Sequence, residues 1–130
     1  MYELEITPRF NDIDGLRHVN NTVIPGWFEQ ARNPIYRIFN PELEFDNWNL
    51  ILARLEVDFI QQIYYSQNVL IKTWISRIGR SSFEVYQEAV QDEHLSTKGK
   101  VILVYYNFKQ KKSLEIPKDI RAILLSHKPE

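Results

Sequence analysis

The chain has 130 residues, no cysteine and a formal net charge of −1. That length suits one domain with one core, and the lack of cysteine excludes disulfide frameworks, thiolate metal sites and cysteine nucleophiles. Near-neutral charge leaves no electrostatic footprint for a nucleic-acid or membrane-surface partner, and 44% hydrophobic with 25% charged residues is the balance of an ordinary soluble protein.

No apolar stretch is long enough to span a bilayer, and the opening MYELEITPRF lacks the pattern of a secretory signal. A cytoplasmic location is expected. No repeat or linker divides the chain, so residues 1–130 are read as a single domain. Residues 2–10 suit a first strand, with Leu4 and Ile6 facing one way and Glu3 and Glu5 the other. Pro8 suits an edge position or a strand end. Asn11, Asp12, Asp14 and Gly15 then form a cluster of turn residues.

From Ile24 the apolar residues Trp27, Phe28, Ala31, Ile35, Ile38 and Phe39 recur three and four apart, which predicts one helical face. Asn21 or Thr22 suits the N-cap, and Pro25 the first turn. Pro34 removes a bond to the carbonyl of Gln30, so a kink near Asn33, or two helical pieces, is expected. Asn40-Pro41 ends the run and residues 41–49 read as loop.

The rest is mostly strand. Residues 53–59 alternate as a half-buried strand, and residues 69–78 and 83–91 form two more, joined by a tight link at 79–82. Residues 92–99 are polar and turn-like. Residues 101–108 are nearly all apolar and are expected at the sheet centre, covered on both faces. Ile116-Pro117 closes the sheet, and residues 118–126 form a short amphipathic helix. The links are too short for helical crossovers, so the sheet is antiparallel. The expected class is α+β: a long curved antiparallel sheet of about five strands wrapped around one long helix, with a short C-terminal helix.

Chemistry concentrates in residues 12–32, DIDGLRHVNNTVIPGWFEQAR. Asp12 and Asp14 suit turn chemistry, their side chains bonding nearby backbone N–H groups. The alternative is that one carboxylate faces a cleft at the helix start as nucleophile or as base for water. His18 either orders the turn or positions Asp14 or a substrate carbonyl. Asn20 and Asn21 suit caps, and also place donors where an oxyanion could sit. Glu29 reads as a solvated helix position. His18, His94 and His127 lack metal-ligand spacing, and no cofactor is implied. Arg77, Arg80, Ser81 and Ser82 surround a glycine at a strand end, where they either pair with surface acids or bind a phosphorylated group. Lys109, Lys111 and Lys112 read as a solvated hairpin end.

The 12–32 stretch resembles the helix-loading loop of hot-dog-fold thioesterases of the 4-hydroxybenzoyl-CoA thioesterase type, whose pattern is D-x-D-x-x-G-H-V-N-N followed by an aromatic helix ending E-x-A-R. It is also similar to that of acyl-ACP thioesterases. ARLEVDFIQQI, RIGRSSFEVYQEAV and VILVYYNF followed by IP resemble later strands of the family. The resemblance implies an acyl thioesterase acting on acyl-CoA or acyl-ACP in fatty acid metabolism. It implies a homodimer, paired in some members into a homotetramer, with sites at the subunit interface. By position Asp14 matches the catalytic carboxylate and His18 the motif histidine. Asn21 falls at the helix entrance that polarises the thioester carbonyl. Arg80 and Ser81 match the region that contacts the CoA phosphates. Trp27 and Phe28 are expected to line an acyl tunnel. Arg17 stands where many members carry glycine, Leu16 where acyl-ACP thioesterases carry asparagine, and Pro25 is unusual. The alternative is the same fold as a non-catalytic acyl-CoA or fatty-acyl binding module.

Overall fold

The computed structural model describes residues 1–129. Strand β1 (Tyr2–Ile6) turns Ile6 into the core and Glu3 and Glu5 to solvent, following its alternation. Two helices come next, α1 (Ile24–Ala31) and α2 (Asn33–Phe39). The continuous long helix is therefore not formed, and the division falls at Arg32. Pro34 has no N–H to give Gln30, while Arg32 closes α1 by donating its N–H to Phe28 O and Glu29 O. Pro25 and Pro34 each occupy a first turn. Val23, and not Asn21 or Thr22, is the N-cap of α1, and it makes no side-chain bond. Asn20 takes the capping chemistry one turn earlier, its Oδ1 accepting from Thr22 N and Thr22 Oγ1.

Strands β2 (Leu50–Phe59), β3 (Val69–Ile78), β4 (Ser82–Gln91) and β5 (His94–Asn107) complete the main sheet. A two-residue β6 (Lys112–Ser113) folds back on β5, and α3 (Lys118–Leu125) follows. Every pairing is antiparallel, in the order β1-β3-β4-β5-β2.

Three expectations change. The central strand is β4, and β5 lies one place from the edge with its outward residues half-buried. β5 also starts at His94, because Asp92 and Glu93, at φ 51° and 63°, reverse the chain in two residues. β2 is exposed along most of its length rather than half-buried, with Leu55 44% and Phe59 51% exposed.

The core falls into two apolar clusters. One joins Ile24, Trp27, Phe28 and Ala31 to Ile71 and Ala89. The other joins Ile35 and Phe39 to Ile75, Phe83, Val85 and Leu124. Between them runs a row of Thr73, Gln87 and Gly99, in register across three strands. Gly99 lets α1 approach: a Cβ there would meet Phe28 Cε2 at 2.9 Å. Among the described residues no helix is long and apolar enough to cross a membrane.

Candidate active site

The two acids of the loop before α1 do different work. Asp12 is buried. Its Oδ2 accepts from Arg9 N at 2.8 Å, and its carbonyl accepts from Asn20 N at 2.8 Å. It therefore ties the two ends of the loop together. Asp14 is exposed, and its Oδ1 accepts from Leu16 N at 2.8 Å and His18 N at 3.4 Å. Asp14 N donates to His18 O at 2.9 Å. The turn thus uses one carboxylate oxygen, and Oδ2 has no hydrogen-bond partner among the described residues. Arg17, at φ 68°, takes the left-handed conformation at the apex.

Residues 60–68, which cross from β2 to β3, brace this loop. Val19 N donates to Ile63 O at 2.7 Å. His18 and Tyr64 form a β-bridge, and their rings meet edge to face at 5.2 Å. Buried Gln91 pins the crossover from the sheet side, accepting from Tyr64 N and donating to Tyr64 O and Gln67 O.

A cleft of about 500 Å³ opens between the start of α1 and the end of β2. Asp14, Asn21, Ile24, Phe59 and Ile63 line it. The N–H groups of Asn21 and Ile24 have no acceptor among the described residues, as expected at a helix entrance. The residue with an unpartnered carboxylate oxygen and two residues with free N–H groups therefore line one cleft. That pairing can serve a reaction that needs a base or nucleophile and develops negative charge on oxygen. His18 lies behind Asp14, and its ring rests on Tyr64.

The remaining expected residues are dispersed. Trp27 borders a cleft shared with Asp12 and Thr22, and Phe28 is buried against Gly99. Arg80 and Ser81 lie in the β3–β4 link, and Arg80 faces Glu115 at 3.8 Å. They sit at the opposite end of the sheet from Asp14, roughly 30 Å away at about 3.3 Å per strand residue. One chain does not bring them to the cleft. Sequence reasoning missed Arg32, Gln87 and Gln91, all buried. For the two glutamines the available signal was a polar residue at an inward strand position; Arg32 offered none. Among the described residues no three His, Asp or Glu side chains group as a metal site.

The sequence profile of the thioesterase-like superfamily matches residues 8–124. No curated protein matches the chain. The solved structure of a predicted thioesterase from Bacillus stearothermophilus is 40% identical, with a TM-score of 0.95 over 99% of this chain and 98% of that one. A thioesterase from Thermus thermophilus, crystallised with coenzyme A and Zn, is 26% identical, with a TM-score of 0.84 over 95% and 96%. A DHNA-CoA thioesterase from Staphylococcus aureus shares the fold at 18% identity, with a TM-score of 0.79 over 96% and 91%.

Proposed function

Because this chain belongs to the thioesterase-like superfamily, we propose that it hydrolyses an acyl thioester to free acid and thiol. The observation that carries this reading is that Asp14, whose Oδ2 has no partner, lines one cleft with Asn21 and Ile24, whose N–H groups have no acceptor among the described residues. Asp14 attacks the thioester carbonyl carbon, or takes a proton from the water that does. The helix-entrance N–H groups hold the developing oxyanion, and the C–S bond then breaks, the departing thiolate taking a proton that comes from water. Where Asp14 is the nucleophile, a water molecule then cleaves the acyl-Asp14 anhydride to release the acid and restore the carboxylate. One oxyanion donor is typically worth about 2.7–4 kcal/mol. His18 fixes the Asp14 turn through its own main chain. Trp27 and Phe28 hold α1 at its distance from the sheet and back the acyl site from the core side.

The carrier we favour is CoA, in line with the CoA bound to the Thermus relative; acyl carrier protein is the competing carrier. The reading includes a homodimer. β2 is an edge strand with Ile51, Leu52, Leu55 and Phe59 exposed, a surface that proteins normally cover. Antiparallel pairing of two β2 strands about a two-fold axis sets the Phe59 end of one copy against the Leu50 end of the other. The Arg80 end of the second copy's sheet then comes to the Asp14 side. Arg80 and Ser81 contact the CoA phosphates across that interface.

The test is thiol release from acyl-CoAs and acyl-ACPs of graded length and aromaticity. Release from at least one acyl-CoA is expected. Saturable acyl-CoA binding with no release from any member would place the chain among non-catalytic acyl-binding proteins instead.

A further inference from the structure

The crossover from β2 to β3 is held by the β4–β5 hairpin at two places. The first is Ser96, which has no partner in β4 where the register shifts between Ala89 and Val90. Its carbonyl accepts from Ile60 N at 2.9 Å and from Gln61 N at 3.0 Å. The second is Gln91, which ends the inward row of β4 after Phe83, Val85, Gln87 and Ala89 and is 5% exposed. Its Oε1 accepts from Tyr64 N at 2.9 Å, and its Nε2 donates to Tyr64 O at 2.8 Å and to Gln67 O at 2.9 Å. Both Nε2 protons are in use. The side-chain amide therefore meets Tyr64 as the peptide of a neighbouring strand would.

The other edge of the same segment carries the acid. Ile63 O accepts from Val19 N at 2.7 Å, and Tyr64 forms its β-bridge with His18. His18 O accepts in turn from Asp14 N at 2.9 Å, and His18 N donates to Asp14 Oδ1 at 3.4 Å. The crossover is thus a short extra strand between two partners, Gln91 on one side and the Asp14 loop on the other. Among the described residues, Gln91 is the one member of the main sheet that hydrogen-bonds residues 64–67.

We infer that Gln91 is a positioning residue for Asp14: its amide fixes the crossover, and the crossover fixes the main chain that carries the acid. The inference rests on the acyl-thioesterase reading above. Gln91 is not among the residues that line the Asp14 cleft, so it acts without touching substrate. Ile60 and Gln61 do line that cleft, and Ser96 holds them independently of Gln91. Loss of the glutamine amide therefore loosens Tyr64 and the loop bridged to it while the Ile60–Gln61 wall stays in place. A displacement of about 1 Å at a reacting group can cost about a hundredfold in rate. The effect falls on the chemical step and not on substrate binding.

The test compares wild type with Gln91→Met, which keeps the length of the side chain and removes its three bonds. Two readouts are taken on the whole chain: backbone order parameters from nuclear magnetic relaxation, and thiol release from the acyl-CoA that wild type turns over best. In the variant the order parameters of Asp14, His18 and Val19 should fall from about 0.85 to below about 0.6, while those of β3 and β4 stay near 0.85. kcat should fall about tenfold or more with KM within about twofold. Ile75→Ala, a cavity in the other apolar cluster, controls for lost stability. At a temperature where it is folded it should keep kcat within about twofold of wild type. Unchanged order parameters in the loop, an unchanged kcat, a change in KM alone, or an equal fall of kcat in Ile75→Ala would each overturn the inference. Should Gln91→Met fail to fold, Gln91→Asn takes its place with the same expectations, since its amide stops one carbon short of Tyr64. No thiol release by wild type from any acyl-CoA would sink the hydrolase reading, and the order parameters would then decide the positioning of Asp14 alone. Turnover by wild type with both readouts unchanged in the variant would sink the positioning and keep the hydrolase reading.

Discussion

Arg32 Nη1 donates to Gln87 Oε1 at 3.0 Å, and neither residue is more than 2% exposed. This bond ties the break between α1 and α2 to the middle of the central strand. Gln87 Nε2 continues to Phe28 O at 2.9 Å and Thr73 Oγ1 at 3.0 Å. The residue that ends the first helix is thus held by side-chain bonds where the two apolar clusters meet.

Gln87→Leu would leave Arg32 Nη1 without its acceptor and Phe28 O without this donor. The loss of bonds around a buried cation should cost about 3 kcal/mol. For a chain of this size that is a fall in Tm of roughly 10 °C. Thermal unfolding followed by circular dichroism measures it. A Tm within about 2 °C of wild type would mean that water or another group replaces the glutamine without cost.

Gly99→Ala should destabilise by about 1–3 kcal/mol through overpacking. The added methyl would press on Phe28 Cε2 at 2.9 Å and on Glu56 O at 3.2 Å. Phe28→Leu in the same chain frees space on one side only. Denaturant midpoints of the two single variants and the double variant should therefore show partial rescue.

Arg17 carries a left-handed φ of 68° with a bulky side chain. Arg17→Gly should raise stability by up to about 1 kcal/mol, the relief at a left-handed position less the entropy that glycine adds to the unfolded chain. Urea unfolding checks the sign. A loss of stability would show that the arginine side chain makes up for its backbone.

The His127 ring lies between Tyr2 Oη, 2.8 Å from Nε2, and the Met1 amino group, 3.2 Å from Nδ1. It also stacks on Tyr2 at 4.1 Å. Burial, followed by the neighbouring amino-terminal charge, lowers its pKa below the usual 6.5. The unfolded chain then binds more protons than the folded one between the lowered value and 6.5. This contribution is complete above about pH 6.5 and is lost as pH falls through that window. His127→Gln should show a smaller drop in urea midpoint between pH 7.5 and 5.5 than wild type. Identical drops would remove His127 from the pH dependence.

Much of this architecture is written in local patterns. The spacing of Ile24, Trp27, Phe28 and Ala31 marks the buried helical face, and the missing N–H of Pro34 marks where it divides. The ends of β3 follow from a run rich in β-branched and aromatic residues that stops at the turn residues of 79–82. The place of β5 does not, because a run of apolar residues suits any covered strand, and strand order is a matter of long-range pairing. Arg32 carries no local mark of burial, since its partners Tyr36 and Gln87 come from a helix turn and a strand far away in sequence. At Asp14 turn propensity and catalysis compete as readings. In three dimensions one Asp14 oxygen is taken up by the turn, the other has no partner among the described residues, and the residue lines the cleft. The distance of Arg80 from Asp14 was also hidden, because sequence order does not say at which end of a sheet a link lies.

The most direct test of the central claim is thiol release by wild type and by Asp14→Asn, on the acyl-CoA that wild type turns over best. Asparagine keeps the oxygen that accepts from Leu16 N and His18 N, so the turn and the melting temperature should be preserved. Loss of the carboxylate should lower kcat by at least about a hundredfold. Equal turnover by the two proteins would contradict the assignment of Asp14 as the reacting carboxylate.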